Sequence, residues 1–357
     1  MPARSAPSVI SGIPVIPMKL ASLMPDDGVT ESFVMSGVIS SGTLPVNGQS
    51  LFAVIYSNPT LGQDKRFAMQ LLRSLLFVPG NRANMLEKAV GLKPDAVVPD
   101  MEDSVPMAEK ANAREMVASF LPTLAEAGHQ IMPRVNSLNT GLMEDDLTAV
   151  VGPHIAGVSV GKVGSASDVR QIADTVGRRE IATDIPFGST SLVLWVETAS
   201  AIVNAFSICR ASKRVIAVAF GGEDLTNDMA IPRTESEEEI AHPRSVVAVA
   251  ARAAGVLALE TPYFNYKDDE GLRRNSTASR NLGFRGRFAI HPSQIKGINA
   301  SYMPSDVEIE QARRVVAAFD EAEGRGSAAT SLDGMVIDVP VVERARKVLT
   351  AAQSISN

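Results

Sequence analysis

The feature that most constrains the fold is a repeated alternation between short apolar runs and segments with helical spacing, beginning at Arg73. Short, nearly continuous apolar runs are typical of parallel strands buried on both faces. The runs occupy residues 74–79, 95–101, 129–135, 155–160, 191–197, 214–220, 256–261 and 287–291. Eight strand-then-helix units in about 230 residues predict an α/β fold, a closed (β/α)8 TIM barrel.

A doubly wound open sheet is the rival interpretation of the same alternation. That fold binds dinucleotides at a Gly-rich turn after its first strand, but here the first apolar run is followed by PGNRAN. The even spacing of the units also favours the barrel. The predicted helices cover 81–92, 107–121, 141–150, 166–177, 198–210, 240–254, 268–282 and 292–299, and an acidic loop is expected before the sixth of them.

Composition narrows the class of protein. The net charge of −6 argues against a dedicated nucleic-acid binder, and the chain has no uninterrupted apolar stretch long enough for a membrane span. A single cysteine excludes an internal disulfide, so we expect a cytoplasmic protein. Only four histidines are present, so any metal is expected to rely on carboxylates.

The two ends of the chain differ from the barrel region. Residues 1–68 are rich in Ser, Gly and Pro, and we expect an N-terminal extension that is disordered or lies outside the natural start; an organised extra domain is the third option. Residues 69–300 are expected to form the catalytic barrel. Residues 301–357 are expected to form a helical lid and oligomerisation segment, with a helix near 305–323.

Active sites of such barrels lie at the carboxyl ends of the strands. Glu197 ends the apolar run LVLWV, and Asp224 lies one unit later beside Gly221 and Gly222. A carboxylate at the end of a buried run must be paired, hydrogen-bonded or metal-bound. Two such carboxylates on adjacent strand ends suit Mg²⁺, whereas helix capping is the alternative for either residue alone.

Further charged residues follow the second and third predicted strands. Arg134 is placed to bind a substrate carboxylate with its planar fork, or else to form a salt bridge to Asp100 or Glu102. The acidic cluster of Asp100, Glu102 and Asp103 either contributes to proton transfer or forms a network that holds Arg134 or Lys162, which follows the fourth predicted strand. For Asp103 the network is favoured.

Two other residues have side chains that can act in catalysis, His291 and Cys209. His291 follows the last predicted strand, and a lone histidine at such a place is more often structural than catalytic. Cys209 lies on a predicted helix, and the sequence shows no base paired with it, so we expect it to pack in the core.

Several motifs, in order and with consistent spacing, resemble the citrate lyase β-subunit-like enzymes of the HpcH/HpaI aldolase superfamily, which includes malyl-CoA and citramalyl-CoA lyases. The similarity extends from about Arg73 to the C-terminus and excludes residues 1–68. The motifs are RSLLFVPGNR, VVPDMEDSV, PRVNS, LWVETA, AFGGEDLTNDM and LGFRGRFAIHPSQI. Three departures are Pro99 before the strand-end acid, Arg287 where lysine is common, and Asp103 where the hydroxy-acid aldolases have histidine.

The resemblance implies roles for particular residues. It makes Glu197 and Asp224 the Mg²⁺ ligands and Arg134 the group that binds the 2-oxo acid carboxylate. It implies that Asp338, in the segment VIDVP, acts as an acid or base in the site of a neighbouring subunit, whereas a helix cap is the alternative for this residue. Glu102 is assigned to substrate binding, as is Gly80 through main-chain amides near it.

The expected function is therefore a Mg²⁺-dependent CoA ester lyase. It would cleave or form a C–C bond between an acyl-CoA enolate and a 2-oxo acid, with a malyl-, citramalyl- or citryl-CoA-type substrate. The expected partners are these small molecules and further copies of the chain, in a homotrimer or hexamer. Two alternatives stay open: a pyruvate-class aldolase that uses no CoA, and a lyase subunit that acts on a carrier-bound acyl group.

Overall fold

The computed structural model describes residues 71–353, together with the backbone of four short strands nearer the N-terminus. By its internal contacts the chain divides into two compact units, Met1–Ala68 and Met69–Asn357. In the first unit, Val9–Ile10 pairs with Ile13–Pro14, and Ser40–Val46 pairs with Gln49–Ile55, both antiparallel. The expectations for residues 1–68 otherwise fall outside the described residues.

The second unit contains a closed barrel of eight parallel strands in sequential order, which confirms the predicted (β/α)8 fold. The strands are β1 Ser74–Pro79, β2 Ala96–Asp100, β3 Arg134–Val135, β4 Gly157–Val160, β5 Ser191–Val196, β6 Val215–Phe220, β7 Leu257–Glu260 and β8 Gly286–Ala289. The third strand is shorter than predicted. Pro133 has no N–H to donate, and Ile131 makes only an isolated bridge to Val97.

Helices cover the outside of the barrel. They are α1 Ala83–Ala89, α2 Lys110–Glu126, α3 Met143–Val150, α4 Ala166–Ala182, α5 Ala199–Val203, α6 Ala205–Arg210, α7 Gly222–Asp228, α8 Glu238–Ala254, α9 Asp269–Leu282 and α10 Gln294–Ser301. Within the described residues, none of the helices has the length and hydropathy that a membrane span requires.

Two helical predictions were wrong in detail. The helix predicted over 198–210 divides at Asn204, a residue type that competes with helical hydrogen bonding. The acidic segment predicted as a loop contains α7, with Glu223 and Asp224 in its first turn. Acidic residues are favoured there because the helix dipole is positive at its N-terminus.

The barrel has two apolar layers. Residues that point inward, among them Leu75, Val98, Met132, Val193 and Leu259, fill the interior. A larger cluster lies between the strands and the helices, and it includes Cys209, which is buried as predicted. Burial raises the pKa of the Cys209 thiol to about 12.

The C-terminal segment has a small core of its own. It consists of α11 Asp306–Gly324, the hairpin β9 Thr330–Leu332 and β10 Met335–Ile337, and α12 Val339–Gln353. Its buried residues are Ala312, Val315, Phe319, Ile337, Val342 and Ala345. Ser305 and Glu308 form a capping box at the start of α11, which fixes where this segment begins.

Candidate active site

Aromatic rings form the floor of the barrel mouth at the carboxyl ends of the strands. The Phe288 ring lies 4.9 Å from the Phe77 ring and 4.5 Å from the Trp195 ring, between centroids. The guanidinium carbon of Arg134 lies 4.5 Å above the Phe77 ring. The apolar interior therefore ends in an aromatic layer on which the charged residues rest, and this layer strengthens their electrostatic interactions by excluding water.

Arg134 and Asp100 form a buried, two-point ion pair across neighbouring strands. The register places these two residues side by side on β2 and β3. Nε and Nη2 of Arg134 each donate a hydrogen bond of 2.7 Å to one oxygen of Asp100. Burial opposes ionisation of Asp100, but the charge and hydrogen bonds of Arg134 outweigh it and hold the Asp100 pKa below its usual range.

The other nitrogen of the guanidinium contacts two more carboxylates. Nη1 of Arg134 lies 3.0 Å from Glu102 and 3.1 Å from Asp103. Lys162, at the end of the next strand, pairs with the same two acids at 2.7 Å and 3.0 Å. Of the two alternatives for the acidic cluster, these contacts match the network that holds Arg134 and Lys162.

Glu197 lies in a narrow space directly after β5, where its side chain is only 3% exposed. Its Oε1 accepts a 2.6 Å hydrogen bond from the main-chain N–H of Lys162. Two glycines make room for it: a Cβ on Gly221 would lie 2.5 Å from Oε2, and a Cβ on Gly161 would lie 3.2 Å from Oε1. Side chains at these two positions would displace the carboxylate, so the space is shaped around Glu197.

Asp224 lies in the first turn of α7 and lines the same mouth. Burial, followed by the charge of Asp103, raises its pKa. For Glu197, burial, Asp224 and Glu102 together raise the pKa to about 8. The fold therefore brings the two predicted metal ligands to one mouth. The negative charges of the acids at this mouth outnumber the positive charges of Arg134 and Lys162.

A divalent cation fits this arrangement. Oε2 of Glu102 is paired with Arg134, whereas Glu197 accepts the Lys162 amide and faces the charges of Asp224 and Glu102. Groups of three or more metal-binding side chains do not occur in the described part of the chain. Mg²⁺ is usually held by one or two carboxylates, with water and substrate oxygens completing its coordination, so Glu197 and Asp224 suffice.

The mouth around these charges is open and mixed in character. Residues from β1, β3, β5, α7 and the loops after β2, β7 and β8 line it: Phe77, Asp103, Arg134, Trp195, Glu197, Gly221, Glu223, Asp224, Thr261, Pro262, Phe264 and Ile290. Phe264 and Ile290 are exposed at the rim. The four acids of this lining outnumber Arg134, so an anionic ligand would enter together with a cation, and an apolar part of the ligand would meet the aromatic and aliphatic side chains.

Three predicted residues lie elsewhere or make other contacts. The Gly80 amide donates to the Asp100 carbonyl at 2.8 Å, so this N–H does not point to a ligand; Gly80 instead allows β1 to approach β2 closely. Asp338 caps α12, with its Oδ1 accepting from the Val341 amide. Asp338 is not among the described residues that line the mouth of its own barrel. His291 is exposed and stacks on Tyr266.

Lys162 contacts several acids of this site, although the sequence assigned it no catalytic or binding role. The sequence places it at the end of the fourth strand, but its contacts depend on a backbone conformation that no local pattern predicts. Its φ of +57° lies in the left-handed region, which disfavours side chains by roughly 1–2 kcal/mol.

Comparisons with known proteins agree with the fold and the motifs. The family model described as HpcH/HpaI aldolase/citrate lyase matches residues 73–292. The citrate lyase subunit beta of Leuconostoc mesenteroides subsp. cremoris is 35% identical over 80% of this chain and 94% of its own length. A (3S)-malyl-CoA thioesterase of Cereibacter sphaeroides is 34% identical over 80% of this chain and 95% of its own length.

A solved structure is also similar. CitE from Mycobacterium tuberculosis, in complex with magnesium, acetoacetate and coenzyme A, is 28% identical, with a TM-score of 0.66 over 79% of this chain and 98% of that one. The magnesium expected from the sequence is present in that relative. The chain belongs to the HpcH/HpaI aldolase/citrate lyase family, and it is a lyase.

Proposed function

We propose that the protein is a Mg²⁺-dependent CoA ester lyase that cleaves or forms a C–C bond between an acyl-CoA enolate and a 2-oxo acid. The observation that carries the proposal is the pair Glu197 and Asp224, two crowded carboxylates beside Arg134 at the mouth of a barrel of this family. The relatives named above act on or bind CoA thioesters, citrate or magnesium. Malyl-, citramalyl- and citryl-CoA are the substrates to test.

Glu197 and Asp224 are proposed as the metal ligands. When bound, Mg²⁺ would supply Lewis acidity toward the oxygen of the 2-oxo acid. Glu197 is preformed for this task because the Lys162 amide and the space beside Gly221 fix its carboxylate.

Arg134 is proposed to orient the carboxylate of the 2-oxo acid, with Glu102 holding the guanidinium from the side. Two of its donors are committed to buried Asp100, but the Asp103 side chain on Nη1 is half-exposed. An incoming carboxylate would therefore reach Arg134 by replacing Asp103. This exchange keeps the number of charges around the guanidinium constant.

Asp338 of the partner subunit is proposed as the acid and base. In the condensing direction it removes the proton on the α-carbon of the acyl group, the resulting carbanion attacks the 2-oxo carbon, and the alkoxide formed there takes a proton from solvent to give the hydroxyl. In the cleaving direction a base takes the hydroxyl proton, the C–C bond breaks toward the thioester, and Asp338 of the partner subunit returns a proton to the α-carbon.

The surroundings of Asp338 support an assembly in which this residue serves a second copy. Its neighbours Met335, Val336 and Val339 are exposed apolar side chains, with Met335 72% exposed. An apolar patch beside a catalytic acid matches a surface that another subunit covers. We propose a homotrimer or hexamer, with 69–300 as the catalytic barrel and 301–357 as the lid that reaches the neighbouring site; the cytoplasm is the proposed location.

The test is an assay of malyl-, citramalyl-, methylmalyl- and citryl-CoA with and without Mg²⁺. The proposal predicts Mg²⁺-dependent release of a 2-oxo acid from at least one thioester. Turnover of pyruvate with aldehydes, and of no thioester, would favour a CoA-independent aldolase. Activity only on an acyl group attached to a carrier protein would favour a subunit of a larger lyase.

A further inference from the structure

Lys162 combines an unfavourable backbone with contacts to three acids of the mouth. It is one of five non-glycine residues with positive φ in the described part of the chain, the others being Asp184, Ala230, Glu237 and Asp333. Such conformations persist only where the surrounding structure holds them. Glycine adopts a positive φ without steric cost, and a glycine, Gly161, directly precedes Lys162. The presence of lysine at position 162 therefore indicates a role for its side chain.

The left-handed backbone points the Lys162 amide at one acid while its side chain reaches two others. The amide lies 2.6 Å from Oε1 of Glu197. The ammonium lies 2.7 Å from Oε1 of Glu102 and 3.0 Å from Oδ1 of Asp103. The Lys162 side chain is therefore held between two carboxylates while its amide is held by a third.

The two sets of contacts support each other. Because the ammonium is held by Glu102 and Asp103, the residue is kept in the conformation that directs its amide to Glu197. A Cβ on Gly161 would lie 3.2 Å from both Oε1 of Glu102 and Oε1 of Glu197, so the two acids converge on this short segment.

We propose that Lys162 is a positioning residue: its ion pairs hold a left-handed backbone whose amide fixes Glu197 in the orientation that binds the metal. The inference rests on the proposed function, since it assigns Glu197 to Mg²⁺. Lys162 itself touches neither the metal nor the reacting atoms in this scheme.

The test compares Lys162→Gly with Lys162→Ala by isothermal titration of Mg²⁺ into the substrate-free protein. Both variants lack the ammonium, but glycine adopts positive φ without cost and alanine does not. We expect Lys162→Ala to weaken Mg²⁺ binding by about 10- to 100-fold, and Lys162→Gly to weaken it clearly less. Equal affinities of the two variants would overturn the proposal, because the backbone conformation would then have no effect.

Matched variants separate this role from general stability. Asp184→Ala changes an exposed residue that has the same positive φ outside the site, and it should leave Mg²⁺ affinity unchanged. Lys162→Arg keeps a cation and should stay within about tenfold of wild type. A loss in Lys162→Arg as large as in Lys162→Ala, with thermal unfolding unchanged, would contradict the role of the charge.

Failure of this inference differs from failure of the proposed function. If the wild-type protein binds no Mg²⁺, the proposed function and the inference both fall. If the wild type binds Mg²⁺ and turns over a thioester, while Lys162→Ala and Lys162→Gly bind Mg²⁺ as tightly as wild type, only the role of Lys162 is wrong.

Discussion

A buried glutamate lies near each end of strand β5, Glu180 on α4 at the amino end and Glu197 directly after the carboxyl end, and the two carboxylates are satisfied in opposite ways. At the amino end, Glu180 accepts hydrogen bonds from the amides of Gly188 and Thr190 and forms a two-point pair with Arg214 at 2.7 Å. Burial opposes its ionisation, but Arg214 and these amides lower the Glu180 pKa to about 2. At the carboxyl end, the pKa of Glu197 is raised to about 8.

The difference shows which end of the barrel is built for stability and which for binding. Glu180 has a complete set of partners from the chain itself. Glu197 has one main-chain donor and faces further carboxylates, so its charge is satisfied only when a cation from outside arrives. This matches the division of such barrels into a stability face and an active-site face.

The largest expected effect comes from removing the proposed ligands. Glu197→Ala or Asp224→Ala should lower kcat/KM by about 10³-fold or more, since several kcal/mol of transition-state stabilisation would be lost. The free energy of unfolding of the Mg²⁺-free protein should be unchanged or higher, because a crowded charge is removed. A thioester assay measures kcat/KM and urea unfolding measures the free energy of unfolding. Asp174→Ala, which changes an exposed acid outside the site, is the control. Full Mg²⁺-dependent turnover in both Glu197→Ala and Asp224→Ala would refute the metal site.

The next effect concerns Asp338. Asp338→Ala should lower kcat by about 10²- to 10⁴-fold, as expected for loss of a general acid or base. If Asp338 serves a neighbouring site, mixing Asp338→Ala with Glu197→Ala after reversible dissociation should restore part of the activity. Light scattering at assay concentration gives the independent check, since an active monomer would rule out a shared site.

At the other end of β5 the expected effect is on stability. Glu180→Ala leaves Arg214 buried without its partner and should lower the free energy of unfolding by about 3–5 kcal/mol. The turnover of the folded fraction should be retained, because Glu180 is remote from the mouth lining. Urea unfolding with a parallel assay measures both quantities, and a loss of kcat without loss of stability would contradict the division between the two ends.

The smallest effect is the pH dependence of stability, which should have opposite sign for the two glutamates. The folded-state pKa of Glu197 lies above its ordinary value, so its contribution is present at low pH and is lost as pH rises from 4.5 to about 8. The Glu180 pKa is lowered, so its contribution is lost as pH falls from 4.5 to about 2. Thermal unfolding without Mg²⁺ measures how stability changes with pH. Glu197→Gln should flatten the change between pH 4.5 and about 8, and Glu180→Gln should flatten the change between pH 4.5 and about 2. Contributions of the same sign from the two glutamates would contradict the comparison.

Much of this arrangement could be predicted from the sequence. Apolar runs at regular spacing predicted the closed barrel, and a buried run that ends in a carboxylate predicted where Glu197 lies. A salt bridge from Arg134 to Asp100 or Glu102 was one of two predicted alternatives, and the structure shows both contacts. Sequence patterns could not choose between the alternatives, because the pair with Asp100 depends on the register of β2 and β3. The left-handed backbone of Lys162 and the hydrogen bond of the Gly80 amide likewise depend on contacts between distant segments.

The central claim is that the carboxyl end of β5 is left unsatisfied for a metal ion, and proton release on Mg²⁺ binding tests it most directly. Titration calorimetry at pH 7 in buffers of different ionisation enthalpy measures the protons released. Because the Glu197 pKa is raised to about 8, Mg²⁺ should displace close to one proton at pH 7 and far less at pH 9. Glu197→Gln should release clearly fewer protons than wild type. Absence of Mg²⁺ binding, or binding with the same proton release in Glu197→Gln as in wild type, would contradict the claim.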